Sequence, residues 1–432
     1  MKNNWPLIRN KYIWKEINTP NEDENANLLS VSQYSGIKPK AELIEDGDFL
    51  SRASTLKGYK CVEKGDLVIN TMLAWNGSLG VSDYNGVVSP SYNVYRLIDP
   101  ENWDTVFLHY YLRSEYSKVE FRRFSTGIIE SRLRLYPEQF LNLRTPKIPI
   151  KTQRKIGEIL KQKESEIETI KEKLKTKIQL MREYRSSLIT QTVTKGLDPN
   201  VPMKDSGIEW LGEVPEHWKV TKLKYFVRHC ARGITPSYVE NEKNSIPVIN
   251  QACIQSYGIK WEAIKYHDKS RTYNKGIIKA GDVLICSTGR GALGRVQVFP
   301  STKGEYVADG HVTIVRTNQA DLSNRYLRFL LSTPIYFEMM DNVWSSGSTK
   351  QTELNRSEIL NMPIVVPPID EQREITNLLE KKEFEITNVL SVLEKQLNFL
   401  DTYRSSLITA AVTGQIDVSD WKEAEEELET IS

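Results

Sequence analysis

The chain has 432 residues, with 58 basic against 56 acidic side chains and a formal net charge of +2. Hydrophobic residues at 39% and charged residues at 26% describe a folded chain with material for two to four domains, which excludes wholesale disorder. No apolar run approaches the ~20 residues that cross a bilayer, and the four cysteines (Cys61, Cys230, Cys253, Cys286) form no CxxC pair, so a membrane protein, a disulfide scaffold and a zinc ribbon are set aside. Met1-Lys2-Asn3-Asn4-Trp5 lacks the apolar core of a signal peptide, and a reducing cytoplasm is the expected setting. Five scattered histidines offer no metal-ligand spacing.

Residues 1–146 read as a mixed, strand-rich globule. Leu67-Val68-Ile69 is a strand entered from a Gly65-Asp66 turn, Gly86-Val87-Val88 is another, and a helical stretch follows at 104–122. Basic and acidic residues balance at 18 each, but Arg113, Lys118, Arg122, Arg123, Arg132 and Arg134 fall in one stretch.

Residues 147–198 form a helical region. Positions 152–192 contain no proline and one glycine, Gly157. Ile156, Leu160, Ile167, Ile170, Leu174, Met181, Tyr184 and Leu188 recur at a 3–4 spacing, a heptad seam on a helix of about 40 residues, or about 60 Å. Pro149 stands just before the start. Residues 199–217 read as a linker and lead-in.

Residues 218–362 form a second globule with 20 basic and 12 acidic residues, a net of +8. A basic domain with polar and aromatic loops points mildly to nucleic acid. Val283-Leu284-Ile285, entered from Gly281-Asp282, and Val312-Thr313-Ile314-Val315 are strands, and a helical stretch follows at 321–340. Residues 363–418 are a second helical region after Pro368, with the seam Ile375, Leu379, Ile386, Val389, Leu393, Leu400, Tyr403 and Leu407. An acidic tail occupies 419–432.

The chain therefore repeats itself. Tyr184-Arg185-Ser186-Ser187-Leu188-Ile189-Thr190 returns as Tyr403-Arg404-Ser405-Ser406-Leu407-Ile408-Thr409, an offset of 219 that holds without a gap from Pro149 to Asp198. Over 148–198 there are 21 identities in 51 positions. Weaker correspondence lies upstream, where Trp5 with Lys11-Tyr12 mirrors Trp218 with Lys224-Tyr225. The two helical segments carry net charges of +5 and −4, so they are expected to pair with each other, antiparallel because a globule intervenes. Lys163 and Lys382 interrupt both seams. The expected fold class is α+β: two related mixed α/β domains joined by two long helices in an antiparallel coiled coil, with pseudo-two-fold internal symmetry.

The search for catalytic chemistry is mostly negative. Gly289-Arg290-Gly291-Ala292-Leu293-Gly294 matches GxGxxG, but Arg295-Val296-Gln297-Val298-Phe299-Pro300 follows as a strand, where a dinucleotide site needs a helix. A glycine-rich hairpin is the better reading. No Asn/Asp-Pro-Pro-Tyr/Phe motif, as used in amino methylation, is present. The content is recognition.

Pro367-Pro368-Ile369-Asp370-Glu371-Gln372-Arg373, its earlier copy ending Gln153-Arg154, both Tyr-Arg-Ser-Ser-Leu-Ile-Thr segments, and Asp205-Ser206-Gly207-Ile208-Glu209-Trp210-Leu211-Gly212 running on to Trp218 resemble the conserved regions of type I restriction–modification specificity subunits. The first globule departs from that pattern by starting at Asn4-Trp5-Pro6 without the full lead-in. The resemblance implies two target recognition domains, each reading half of a split double-stranded DNA site. It implies helices that act as a spacer and as docking surface for two methyltransferase subunits, with Tyr184, Arg185, Tyr403 and Arg404 as docking residues. Restriction/translocase (motor-nuclease) subunits would join that core. It implies no cofactor in this chain, with S-adenosylmethionine, ATP and Mg held by the partners.

Base reading needs hydrogen-bonding side chains in polar loops, with basic residues on phosphates. The candidates are Trp75, Asn76, Ser78, Tyr92, Asn93, Arg132 and Arg134 in the first globule, and Thr288, Arg290, His311, Ser348, Lys350 and Gln351 in the second. Tyr92, Asn93 and His311 follow the central strands, and His311 reads equally as a core histidine. Two competing readings are a self-contained restriction or methylating enzyme with diverged motifs, and a coiled-coil assembly protein whose globules bind protein. The basic second globule argues against the latter.

Overall fold

The computed structural model describes residues 5–43, 55–129, 133–240, 243–271, 273, 275–289, 291–342, 345–346 and 353–416. Its longest elements are a central helix, Ile150–Lys195, and a distal helix, Ile369–Val412, of 46 and 44 residues. Each begins directly after a proline whose carbonyl accepts the amide of Gln153 or Gln372, at 3.0 Å in both cases. Proline-free, leucine- and isoleucine-spaced stretches form these helices because propensity and one apolar stripe agree.

Two compact units divide the chain: Met1–Leu174 with Lys395–Ser432, and Lys175–Glu394. Each unit thus holds one globule and a segment of each long helix. Within the first unit, Glu164 pairs with Arg404 and Lys171 with Asp401 (2.9 Å). Within the second, Arg182 pairs with Glu394 (3.1 Å) and Arg185 with Glu383. Rising numbers on one helix meet falling numbers on the other, so the segments pair, as their opposite charges suggest, and run antiparallel in both units, as the intervening globule suggests.

The buried stripe differs in part from the expected seam. Ile156, Leu160 and Ile167 are buried in the central helix, and Ile375, Leu379, Ile386, Leu393 and Leu407 in the distal one. Ile170, Tyr184, Val389 and Tyr403 are exposed, and Ile178 and Ile189 are buried instead. A 3–4 pattern read loosely drifts around a helix of 3.6 residues per turn, and only one register faces the partner. Lys163 and Lys382 do not interrupt that register. They bind Glu166 (3.0 Å) and Glu385 (2.8 Å) on their own helix.

Both globules are built on the same four-stranded antiparallel sheet. In the first the spatial order is Trp14–Ile17, Tyr92–Leu97, Leu67–Asn70, Leu79–Val81. In the second it is Val227–Arg232, Val312–Thr317, Val283–Cys286, Val296–Val298. The glycine-rich segment is the hairpin between the last two strands of that spatial order, with Val283 opposite Val298. The second globule adds a five-stranded sheet in which only Ser245–Ile249 and Tyr306–Ala308 run parallel. The stretches read as single helices are broken pairs: Thr105–Arg113 with Glu115–Phe124, and Asn324–Leu331 with Pro334–Asn342. Ser114 breaks the first by capping Ser117, and Pro334 restarts the second.

The lead-in is ordered. Met203–Asp205 pairs with Glu213–Pro215, and Leu211, Val214 and Trp218 are buried in the second unit's main core with Ile189, Val193, Ile375 and Leu379. In the first unit Ile156, Leu160, Leu407 and Val412 join Trp14, Phe107 and Phe140 in the corresponding core.

Candidate nucleic-acid interface

In the first unit, strand Leu67–Asn70 ends in a tight turn. Asn70 Oδ1 accepts the Met72 amide at 3.1 Å, and Trp75 Nε1 donates to the Met72 carbonyl at 3.1 Å. Gly77 closes the turn at φ +93°, where an added Cβ would stand 2.7 Å from Lys118 Cε. Ser78 Oγ donates to Asn76 Oδ1 at 3.0 Å, and Asn93 Nδ2 donates to Thr71 Oγ1 at 3.0 Å. Leu135 N donates to the Thr71 carbonyl at 3.0 Å, while Thr126 and Arg134 exchange backbone bonds at 2.9 Å. Trp75, Asn76, Ser78, Tyr92, Asn93 and Arg134 are therefore gathered at one end of the sheet. Arg122 lies 5.7 Å over the Trp75 ring.

These residues do not all face outward. Ser78 and Asn93 are buried and spend their polar atoms on the loop itself. Tyr92 packs against the core cluster that includes Val68, Val88 and Val94, and burial pushes its phenol upward. Tyr92 and Asn93 open the strand Tyr92–Leu97, as His311 immediately precedes Val312–Thr317. Trp75, Asn76, Arg122 and Arg134 are the reachable members. Arg113 instead turns inward. Its guanidinium donates to the carbonyls of Ser32, Gly77, Leu79, Gln33 and Tyr34 at 2.7–3.1 Å, which buttresses the turn from behind. Burial, then the charge of Arg404, lowers it to about 10. Arg132 lies outside the described residues.

The second unit repeats the arrangement. Leu354 N donates to the Ser287 carbonyl at 2.8 Å, as Leu135 does to Thr71, and Ser287 Oγ bonds Thr313 Oγ1 as Thr71 bonds Asn93. Thr288 Oγ1 bonds His311 Nδ1 at 2.7 Å and accepts from Gln251 Nε2 at 3.1 Å. His311 is exposed, so it is not the core histidine of this unit. That is His267, whose Nδ1 accepts the Ser237 amide at 2.9 Å. Arg232 pairs with Glu353 at 2.7 Å and donates to the Leu354 carbonyl at 3.1 Å. Gln251 and Arg232 carried no motif in the sequence and are brought to the site by the sheets. Arg290, Ser348, Lys350 and Gln351 lie outside the described residues.

At the other end of each sheet sits a shared device. Arg96 forks onto Asp66 at 2.8 and 2.9 Å, and Arg316 onto Asp282 at 2.7 and 2.7 Å. Both aspartates belong to the Gly-Asp turns and are buried.

On the helices, Tyr184 and Tyr403 are exposed, but Arg185 and Arg404 turn into the helix pair. Arg185 and Arg328 both donate to Glu383, and Arg404 and Tyr110 both donate to Glu164. These arginines are consumed within the chain because each neutralises a half-buried carboxylate. Burial alone would raise those carboxyls. The arginine partners outweigh it in both, aided at Glu164 by the Tyr110 hydroxyl, and both groups lie below the ordinary range. Among the described residues no cluster of three His, Cys, Asp or Glu could hold a metal ion, and no helix is long and apolar enough to cross a membrane.

Residues 215–394 match the family model of the type I restriction modification DNA specificity domain. Over that stretch the chain carries this domain, and along its length it is similar to type I restriction–modification specificity subunits. It is 22% identical to the type I restriction enzyme MjaVIII specificity subunit of Methanocaldococcus jannaschii over 385 residues, covering 86% of this chain and 85% of the relative. It is 20% identical to the EcoBI specificity subunit of Escherichia coli over 287 residues, or 64% of this chain and 59% of the relative. Among solved structures, a chain from a study of complex assembly and conformational transition of the type I restriction–modification system superposes with a TM-score of 0.66 at 16% identity, covering 94% of this chain and 97% of that one. The HsdS subunit from Thermoanaerobacter tengcongensis gives 0.51 at 15% identity, covering 95% and 97%. The expected fold of two mixed globules and two long helices is the fold the chain has.

Proposed function

We propose that the chain is a specificity subunit that reads a bipartite double-stranded DNA target, one half per unit, and docks the catalytic subunits of a type I restriction–modification complex. The observation that carries the reading is the duplicated loop cluster. Two sheets of identical strand order each end in a polar, aromatic and basic cluster fastened by equivalent hydrogen bonds. Two related readers on one chain suit a split site. The chain carries no catalysis of its own in this reading. Two methyltransferase subunits supply adenine methylation with S-adenosylmethionine, and restriction/translocase subunits supply ATP- and Mg-dependent cleavage.

Methylation mapping in a host that expresses the chain with its methyltransferase tests the reading. The expected motif has two defined halves separated by unspecified bases, and a motif with one undivided half would overturn it. Purified chain alone should transfer no label from S-adenosylmethionine. Arg290→Ala should cost about 1–3 kcal/mol on the target and relax one base position if Arg290 grips a guanine edge. Uniform weakening on all sequences would make it a phosphate contact instead.

A further inference from the structure

The repeated pair Lys11-Tyr12 and Lys224-Tyr225 has no part in the loop clusters or the helix pair. Both stand in a short 3-10 turn, Asn10–Tyr12 and Leu223–Phe226. The two turns are fastened alike. Asn10 N donates to Leu143 O at 2.8 Å and Leu223 N to Met362 O at 2.9 Å; Ile98 N donates to Ile13 O at 2.9 Å and Asn318 N to Phe226 O at 2.7 Å.

The chemistry of the turns has diverged where a fold constrains it. The buried position is Asn10 in one and Leu223 in the other, and the position after the tyrosine is Ile13 in one and Phe226 in the other. The exposed positions have not diverged. Tyr12 is 60% exposed and Tyr225 is 70% exposed. Lys11 Nζ stands 5.1 Å over the Tyr12 ring, and Lys224 Nζ stands 5.2 Å over the Tyr225 ring. Packing cannot account for the retention of a surface pair, and a cation stack at an exposed site is worth only about 0.5–1 kcal/mol.

Position within each sheet selects the kind of partner. Trp14, two residues after Tyr12, is opposite Leu97, whereas the loop cluster begins where Asn70 is opposite Tyr92. Val227, two residues after Tyr225, is opposite Thr317, whereas the second cluster begins where Cys286 is opposite Val312. The lysine–tyrosine pair is thus at the far end of the sheet from the loops in both units. DNA held at the loops is five residues of strand away, roughly 17 Å.

We infer that Lys11–Tyr12 and Lys224–Tyr225 are equivalent protein-docking points, each meeting a carboxylate-bearing surface of one methyltransferase subunit. The inference rests on the proposed function, which supplies two identical partners for two equivalent surfaces. Each tyrosine offers a rigid ring with a hydroxyl, and each lysine offers the charge that selects an acidic counterpart.

The test uses the full chain with its cognate methyltransferase subunit, with copies bound counted by native mass and affinity measured by titration. Lys11→Glu with Tyr12→Ala should weaken one copy by about tenfold or more and leave the other unchanged. Lys224→Glu with Tyr225→Ala should do the same to the other copy, and the four changes together should weaken both. Melting temperature and affinity for target DNA should stay as in the unaltered chain. The milder Lys11→Met and Lys224→Met remove the charge alone and should weaken each copy in part. Two copies bound with unaltered affinity by the fourfold variant would overturn the inference. So would intact assembly with lost DNA affinity, which would make the pair a nucleic-acid contact. An unaltered chain that recruits no methyltransferase at all would instead bring down the function on which the inference rests.

Discussion

Gln153 and Gln372 are fully buried, and they make the same bonds in both units. Gln153 Nε2 donates to Asn102 O (3.0 Å) and Ile148 O (2.7 Å), and its Oε1 accepts from Asp104 N (2.9 Å). Gln372 Nε2 donates to Asp321 O (3.0 Å) and Pro367 O (2.9 Å), and its Oε1 accepts from Ser323 N (2.8 Å). Each glutamine ties the first turn of a long helix to the loop that caps a helix of its globule. Gln372→Ala leaves two carbonyls and an amide without partners, and urea unfolding should show a loss of about 2–4 kcal/mol. The Gln-Arg repeat was legible in the sequence, but two of the three backbone partners of each glutamine lie some 50 positions away, which no side-chain pattern announces. His109 supplies a pH dependence. Burial, then the charge of Arg113, lowers it from 6.5 to about 4. The folded chain keeps it neutral where the unfolded chain binds a proton, so this contribution is complete above about pH 6.5. It is lost as pH falls toward 4, up to about 3 kcal/mol. Melting temperature should fall across that window, and His109→Gln should flatten the fall.

The long helices show why opposite net charge predicted pairing but not the pairs. The carboxylates Glu164 and Glu383 are equivalent at the offset of 219, and so are their arginines Arg404 and Arg185. Each pair is set into the seam rather than on its rim, where a lone charge is costly and a matched one specifies register. Glu383→Gln should destabilise by about 2–4 kcal/mol, since Arg185 and Arg328 are then left without their shared carboxylate. Replacing Glu383, Arg185 and Arg328 together by Leu, Met and Met should recover much of that loss in thermal melts. A triple variant as unstable as the single one would show that packing, not charge, sets the cost. The two carboxyls also sit below the ordinary range, so their contribution is present above the unfolded value of 4.5 and lost as pH falls below it.

The two globules share a sheet yet differ in charge, with net values of 0 over 1–146 and +8 over 218–362. If each reads one half-site, phosphate contacts are concentrated on the second. Scrambling the second half-site in a DNA probe should therefore reduce the salt dependence of binding more than scrambling the first. Equal slopes would mean that the excess charge of the second globule faces away from DNA.

The duplication, the two long helices with their antiparallel sense and the glycine-rich hairpin are all legible in the amino-acid sequence. Each of these is written in local spacing or in copies that align without a gap, and local spacing survives any tertiary arrangement. Which polar residues face outward is set by the fold. Ser78 and Asn93 read as candidate base contacts and are buried with bonds to Asn76 and Thr71, while Gln251 and Arg232 carry no motif and stand in the loop cluster. Arg113, Arg185 and Arg404 looked like surface cations and are held by carbonyls or carboxylates inside their units. A buried charge must find a partner, and the partner is supplied by strands and helices that are distant in sequence. Side-chain type is written in the chain, while side-chain direction is set only by the fold.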